Sequence, residues 1–419
     1  MIRNKSIDET WEDMPNLPYI GEFNSELSED ISRSASDAIV NALEDKLKNK
    51  DMEIKRFLND NEGKLHLCVG QLRKFATSPG GLILDEYREK IWPVLANHYP
   101  SDYDYIKNSE EYDSDSDYDT VSSTLDVEFE QNYVEPDIDI LRLHKDWNQV
   151  QLDVNRTLDR FPSFIDDENR EKLTTELTPF IVRVLNRNKK FQYYQGFHDV
   201  CLTIVLVVGI EIGYQICKSL TKRGVFSAYL KKSFEETVLK QLELMFPIFY
   251  KRSKTIDKIL RDSHSSGIFA LPWSLTWLSH SLFNYQHIVL CFDLFLSSHS
   301  LMPIYLSSAL VLSREDEIKK CEGDQGVIYG VLNTIPKNIR IPEIIADAQV
   351  LFDDYPPMVL KKRLLKEYID ARKSPIPKPK GPLPRYSINN WIVIGAAGLV
   401  MAYYYFMYTY TSQFSNGIF

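Results

Sequence analysis

Two short stretches of this chain hold side chains that could act on a phosphoryl group. One is Val150-Gln151-Leu152-Asp153-Val154-Asn155-Arg156, and the other is Tyr193-Tyr194-Gln195-Gly196. Phosphoryl transfer to water requires a positioned water, and positive charge where the transferred group gathers negative charge. Arginine suits the second task, being always protonated, planar and rich in donors for phosphate oxygens. Glutamine suits the first, because its carbonyl accepts from water while its amide donates. Asp153 and Arg156 are spaced to share one face of a helix, where the carboxylate can hold the guanidinium in a ready rotamer. Taken singly, neither stretch says much. An Asp and an Arg at this spacing usually form a surface pair worth about 0–1 kcal/mol, and Tyr-Tyr-Gln-Gly is an ordinary turn or helix start. Their weight comes from occurring together, in this order.

The chain carries no nucleotide site of its own that the sequence reveals. There is no G-x-x-x-x-G-K-[ST] stretch, no H-E-x-x-H and no nucleophile elbow. His198, His264, His280 and His287 read as ordinary core or surface residues. The net charge of −10 argues against nucleic acid as a partner, since phosphate binding wants a basic face. The five cysteines show no C-x-x-C spacing, which argues against structural zinc and fits reduced thiols. A hydrophobic fraction of 44% over 419 residues supports a sizeable core in one or two domains.

The elements that must position Arg156 and Gln195 read as helices. Residues 1–45 are polar and rich in Ser, Asp and Glu, which predicts disorder. From 46 to 76, Ile54, Phe57, Leu58, Leu65, Leu67, Leu72 and Phe75 recur at helical intervals, with Gly63 breaking the run. Pro79-Gly80-Gly81 is a turn, and a helix carrying Arg88 and Trp92 follows. Residues 101–136 form an acidic insert with Lys107 as its sole basic residue; this composition stays solvated, as a plain surface loop, a phosphorylated regulatory segment or an acidic tether. The helix carrying Arg156 is expected to end before Phe161-Pro162. From 137 to 365 the pattern is helical almost throughout. Cys201–Ile212 reads as a buried helix directly behind Gln195-Gly196, and Ile288–Leu296 and Ile304–Leu312 read as core helices. The expected fold class is all-α, with the folded domain at 46–365.

The end of the chain has a different character. Residues 366–390 are a Pro/Lys-rich linker, extended at ~3.1 Å per residue where proline dominates. Residues 391–410, WIVIGAAGLVMAYYYFMYTY, carry no charge. At ~1.5 Å per residue this helix would be ~30 Å long, about the hydrocarbon thickness of a bilayer. Trp and Tyr crowd its ends, and Lys378, Lys380 and Arg385 precede it, which places the preceding domain in the cytosol. The reading is a C-terminal transmembrane tail anchor; a buried terminal helix or a hairpin insertion are the alternatives.

The two stretches fit I-x-x-D-x-x-R and Y-x-Q-G, and the chain thereby resembles the TBC domain of GTPase-activating proteins for Rab GTPases. Arg88-Glu89-Lys90-Ile91-Trp92-Pro93-Val94-Leu95 matches the R-x-x-x-W-P-x-L opening of such domains, and Phe269 to Trp277 resembles their Trp-containing helix. Cys291-Phe292-Asp293 stands where most members carry Leu-Trp-Asp, and Phe197 where Met usually follows Gln-Gly. His144 to Val150, Tyr194 to Asp199 and Leu301 to Tyr305 are similar to a subfamily anchored in the endoplasmic reticulum that acts on Rabs of early secretory traffic. The resemblance implies an all-α TBC domain of two helical subdomains meeting at a catalytic face. It implies that Arg156 and Gln195 enter the nucleotide site of a GTP-bound Rab, supported by Asp153, Tyr193, Gly196, Arg88 and Trp92. It implies no cofactor or metal held by this chain, GTP and Mg²⁺ being carried by the Rab. The other expected partners are the bilayer, through 391–410, and other proteins of the reticulum membrane, with the Golgi as the alternative location. A membrane-anchored Rab-binding scaffold without catalysis is the competing expectation.

Overall fold

The computed structural model describes residues 33–99, 135–159, 165–222, 225–231, 237–321 and 324–373. The expected span 391–410, the proline-rich stretch 374–390, most of the acidic insert and the Phe161-Pro162 helix stop lie outside the described residues.

Every regular element among the described residues is helical. Among them are α1 (Arg33–Asp60), α2 (Val69–Thr77), α3 (Asp85–Asn97), α4 (Trp147–Leu158), α5 (Asp167–Leu185), α6 (Phe197–Lys222), α7 (Tyr285–Ser297), α8 (Met302–Leu312), α9 (Ile341–Asp354) and α10 (Leu365–Arg372). Their apolar stripes explain the packing. In α4, Val150, Asp153, Val154, Thr157 and Leu158 are buried at helical spacing, and this turns Leu152, Asn155 and Arg156 outward. The buried face of α4 lies against α5, α6 packs on α3 and α5, α7 spans α2 and α3, and α8 lies along α9. Local chemistry sets several starts: Asp166 caps α5 by accepting from the Asn169 amide, and Asn284 caps α7 by accepting from Gln286 and His287.

The structure corrects four boundaries. Helix α1 begins at Arg33, inside the segment expected to be disordered; a helix nucleated where Ile54 and Leu58 are buried propagates upstream at little cost. Helix α10 runs to Arg372, past the expected linker start at 366. The apolar stretch Cys201–Ile212 is buried as expected up to Val208, but Gly209 adopts φ 74°, ψ 176° and kinks α6. Phe269 to Trp277 is not one helix. A 3-10 turn at Gly267–Ala270 leads into a short helix, Leu271–Leu275, and the chain then turns through left-handed Trp277 (φ 51°) and Leu278 (φ 66°).

That turn drives Trp277 into the centre of the core. Its ring packs against Phe226 at 4.7 Å, Phe292 at 5.3 Å and Phe295 at 5.5 Å, while Trp92 stacks on Phe292 at 5.8 Å. One contiguous apolar cluster therefore runs from Ile54 to Tyr368. The aromatic side chains around Trp277 bring segments distant in the sequence into this cluster. Helix α6 is long and apolar enough to cross a membrane, yet it lies mostly buried in this cluster and is a core helix.

Candidate active site

Arg156 lies near the C-terminal end of α4 with 47% of its side chain exposed, whereas Asp153 is 1% exposed. The Arg156 Nη1 reaches Asp153 Oδ1 at 3.4 Å. The other carboxylate oxygen, Oδ2, accepts from Gln149 Nε2 at 3.1 Å and from the Tyr193 hydroxyl at 3.0 Å. Asp153 is thus a buried anchor for one terminal nitrogen of a guanidinium that is otherwise half exposed.

Gln195 is exposed on the turn that leads into α6. Residues on both sides hold that turn. The Tyr193 amide donates to Asp146 Oδ2 at 3.1 Å, just before α4, and the Tyr194 hydroxyl donates to the Leu275 carbonyl at 3.0 Å. Gly196 adopts φ 111°, and a Cβ there would stand 2.8 Å from Thr276 Cγ2, so the turn requires glycine twice over. Burial and the neighbouring Asp153 push the Tyr193 hydroxyl well above its ordinary value, which keeps it protonated and able to donate. The two stretches thus meet, and both present an exposed polar side chain from a buried, hydrogen-bonded base.

Arg88 and Trp92 lie elsewhere and do different work. Arg88 is 1% exposed and contacts Asp293 through Nε at 3.2 Å and Nη2 at 2.9 Å, and Asp85 through Nη1 at 2.7 Å. Burial alone would lower the guanidinium's pKa; Asp293 and Asp85 outweigh it and hold it up. Asp293 also accepts from Trp92 Nε1 at 2.8 Å and from the Leu82 amide at 2.9 Å. Gly81 passes so close that a Cβ would stand 2.4 Å from Asp293 Oδ2. The Lys50 Nζ sits among the carbonyls of Phe75, Ser78, Pro79 and Gly81, its three N–H donors shared over four acceptors, and ties this loop to α1. Arg88, Trp92 and Asp293 therefore lock α3 to α7 and serve the scaffold.

Comparison with known proteins decides what this arrangement belongs to. Residues 85–319 match the Rab-GTPase-TBC domain model. TBC1 domain family member 20 of Mus musculus is 32% identical over 330 residues, covering 79% of this chain and 73% of that protein. This chain belongs to the Rab-GTPase-TBC domain family. With the family goes the reaction class, activation of GTP hydrolysis by a Rab GTPase, and a Rab as partner. GTPase-activating protein gyp10 of Schizosaccharomyces pombe is 25% identical over 205 residues, covering 48% of this chain and 54% of that protein. The crystal structure of the Ypt/Rab-GAP domain of Gyp1p superposes with a TM-score of 0.53 at 15% identity, covering 73% of this chain and 99% of that one, and shows the shared fold.

For a TBC domain, the sequence names the exposed side chains but misses their foundations. His198, read as uninformative, is buried with its ring between Tyr193 and Thr157. Asp199 accepts from Thr157 Oγ1 at 3.3 Å and faces His280 Nδ1 at 3.0 Å. Asp146 and Gln149 tie the start of α4 to the glutamine turn and to Asp153. A signal was present in part: His198 and Asp199 follow Gln195-Gly196 directly and begin α6. The contacts from Thr157 and His280 come from distant segments, which no periodicity shows.

Proposed function

We propose that this TBC domain supplies Arg156 and Gln195 in trans to the nucleotide site of a GTP-bound Rab. Arg156 would meet the charge that develops on the transferred phosphoryl group, and Gln195 would orient the attacking water. The Rab would carry the GTP and the Mg²⁺. The observation that supports this reading most directly is the shared carboxylate: Asp153 holds both the Arg156 guanidinium and the hydroxyl of Tyr193, two residues before Gln195, so one buried group ties the two motifs together. We further propose that residues 391–410 anchor the chain in the endoplasmic reticulum membrane with the TBC domain in the cytosol. Confinement with lipid-anchored Rabs would raise the effective concentration of the pair. The substrate we propose is a Rab of early secretory traffic, a reading that rests on the resemblance carried by His144 to Val150, Tyr194 to Asp199 and Leu301 to Tyr305.

GTP hydrolysis by a panel of Rabs tests the reading, with the full chain in detergent alongside Arg156→Ala and Gln195→Ala. Acceleration of one or a few Rabs by about 10³–10⁵-fold, lost in either variant, is the expected result. Binding of a Rab without acceleration would instead establish a scaffold.

A further inference from the structure

We propose that His198 is the positioning residue that couples the arginine and the glutamine into one catalytic unit. The inference rests on the roles just given to Arg156 and Gln195.

His198 is 4% exposed in the first turn of α6. Its Nδ1 lies 3.3 Å from the Gly196 amide nitrogen, which donates to it, and 2.7 Å from the Tyr193 hydroxyl. A nitrogen that accepts from an amide carries no proton, so the neutral ring holds its proton on Nε2. Nε2 lies 2.9 Å from Thr157 Oγ1, and the Thr157 hydroxyl in turn reaches Asp199 Oδ1 at 3.3 Å. Both ring nitrogens are therefore engaged, each with a different motif. Nε2 binds the residue next to Arg156 on α4. Nδ1 binds the residue next to Gln195, and it shares the single Tyr193 hydroxyl proton with Asp153 Oδ2, 3.0 Å away. A shift of the imidazole would move the glutamine turn and the carboxylate behind the arginine together. The Asp199–His280 contact at 3.0 Å backs the network from the segment around Trp277, in which Thr276 fills the space a Cβ on Gly196 would need.

Two conservative substitutions separate this role from packing. Asn at 198 places an amide oxygen near the position of Nδ1 and can accept from Gly196. Gln reaches the position of Nε2 and can serve Thr157, while filling more of the space. Single-turnover GTP hydrolysis with the full chain in detergent, on the Rab it accelerates most in the panel, gives the kinetic readout. His198→Ala and His198→Gln are expected to lower kcat about 10–100-fold with KM changed less than about threefold, and His198→Asn to recover most of kcat. Hydrogen exchange of the peptide containing Gly196, followed by mass spectrometry without any Rab, gives a second readout. That amide is expected to stay protected in wild type and His198→Asn, and to exchange faster in His198→Ala and His198→Gln. Wild-type kcat and protection in His198→Ala, or rescue by Gln as good as rescue by Asn, would overturn the proposal. If wild type accelerates no Rab, the reading of the two side chains fails, while the exchange data still decide whether His198 holds the glutamine turn.

Discussion

The Tyr193 hydroxyl donates at 3.0 Å to the Asp153 carboxylate, across a separation of 40 residues, and that same carboxylate pairs with Arg156. The two motifs of the TBC domain are therefore not merely neighbours in space. Asp153 is 1% exposed and Arg156 is 47% exposed, so the pair is asymmetric: a buried acceptor and an exposed donor. An exposed arginine held through one Nη keeps its other donors for a phosphate.

Removing the shared acceptor should therefore harm turnover more than binding. Asp153→Ala takes the carboxylate from the Gln149 amide, leaves the Tyr193 hydroxyl to His198 Nδ1 and releases Arg156. Losing hydrogen bonds to a charged group costs about 1.5–3 kcal/mol each, or roughly 10–100-fold in rate where the effect falls on the transition state. Tyr193→Phe, which removes one donor and keeps Asp153, should lose about tenfold. Single-turnover kinetics with GTP-loaded Rab reads both, with KM within a few-fold of wild type as the expected accompaniment.

The Arg88–Asp293 pair should carry stability instead of activity. Both side chains are buried, at 1% and 0% exposure, and Trp92 and the Leu82 amide share the carboxylate. Breaking a buried pair by removing one partner leaves an uncompensated charge and costs about 3–5 kcal/mol. Asp293→Ala or Arg88→Ala should lower the denaturant midpoint accordingly, while the folded fraction keeps its turnover on Rab. A loss of turnover per folded molecule would place the clamp in catalysis after all.

What the sequence made legible follows from where the information resides. Helix identity and the buried faces are local: Val150, Val154 and Leu158 announce the inner face of α4 by spacing alone. Arg156 and Gln195 were legible because their motifs are short and contiguous. Asp293 was seen only as part of a departure from the family pattern, because its partners, Arg88 and Trp92, lie 205 and 201 residues away. The break after Leu275 was hidden for a different reason. Trp277 and Leu278 hold left-handed backbone that neither residue type favours, and only the surrounding aromatic core compels it.

Gly196 makes a two-part prediction. Its φ of 111° disfavours any side chain, and Thr276 Cγ2 occupies the space a Cβ would need. Gly196→Ala should displace Gln195 and lower Rab activation strongly. Thr276→Ser removes the methyl but keeps a hydroxyl for the Pro272 carbonyl, which Thr276 Oγ1 now bonds at 2.8 Å. The double variant should recover part of the loss and no more, because the backbone strain remains. Full recovery in the double variant would show that the steric contact alone demands glycine.

Acid should loosen the site through His144. Burial lowers the His144 pKa below its ordinary 6.5, against the opposing pull of Asp146 and with the help of Lys145. The Asp146 amide donates to His144 Nδ1 at 3.2 Å, and the Asp146 carboxylate accepts from the Tyr193 amide at 3.1 Å. A protonated Nδ1 cannot accept, so charging His144 removes one support of the residue that ties the start of α4 to the glutamine turn. The sign follows from linkage. The folded value is the lower one, so the unfolded state binds the proton first as pH falls. The contribution is complete above about pH 6.5 and is lost below it, toward the folded value. Melting temperature should decline across that window in wild type, and Rab activation at lower pH still, where the folded ring itself takes up the proton. In His144→Gln, whose amide does not titrate there, the part of the decline due to this residue should vanish on the same Rab. Parallel profiles for the two proteins would show that the acid sensitivity originates elsewhere.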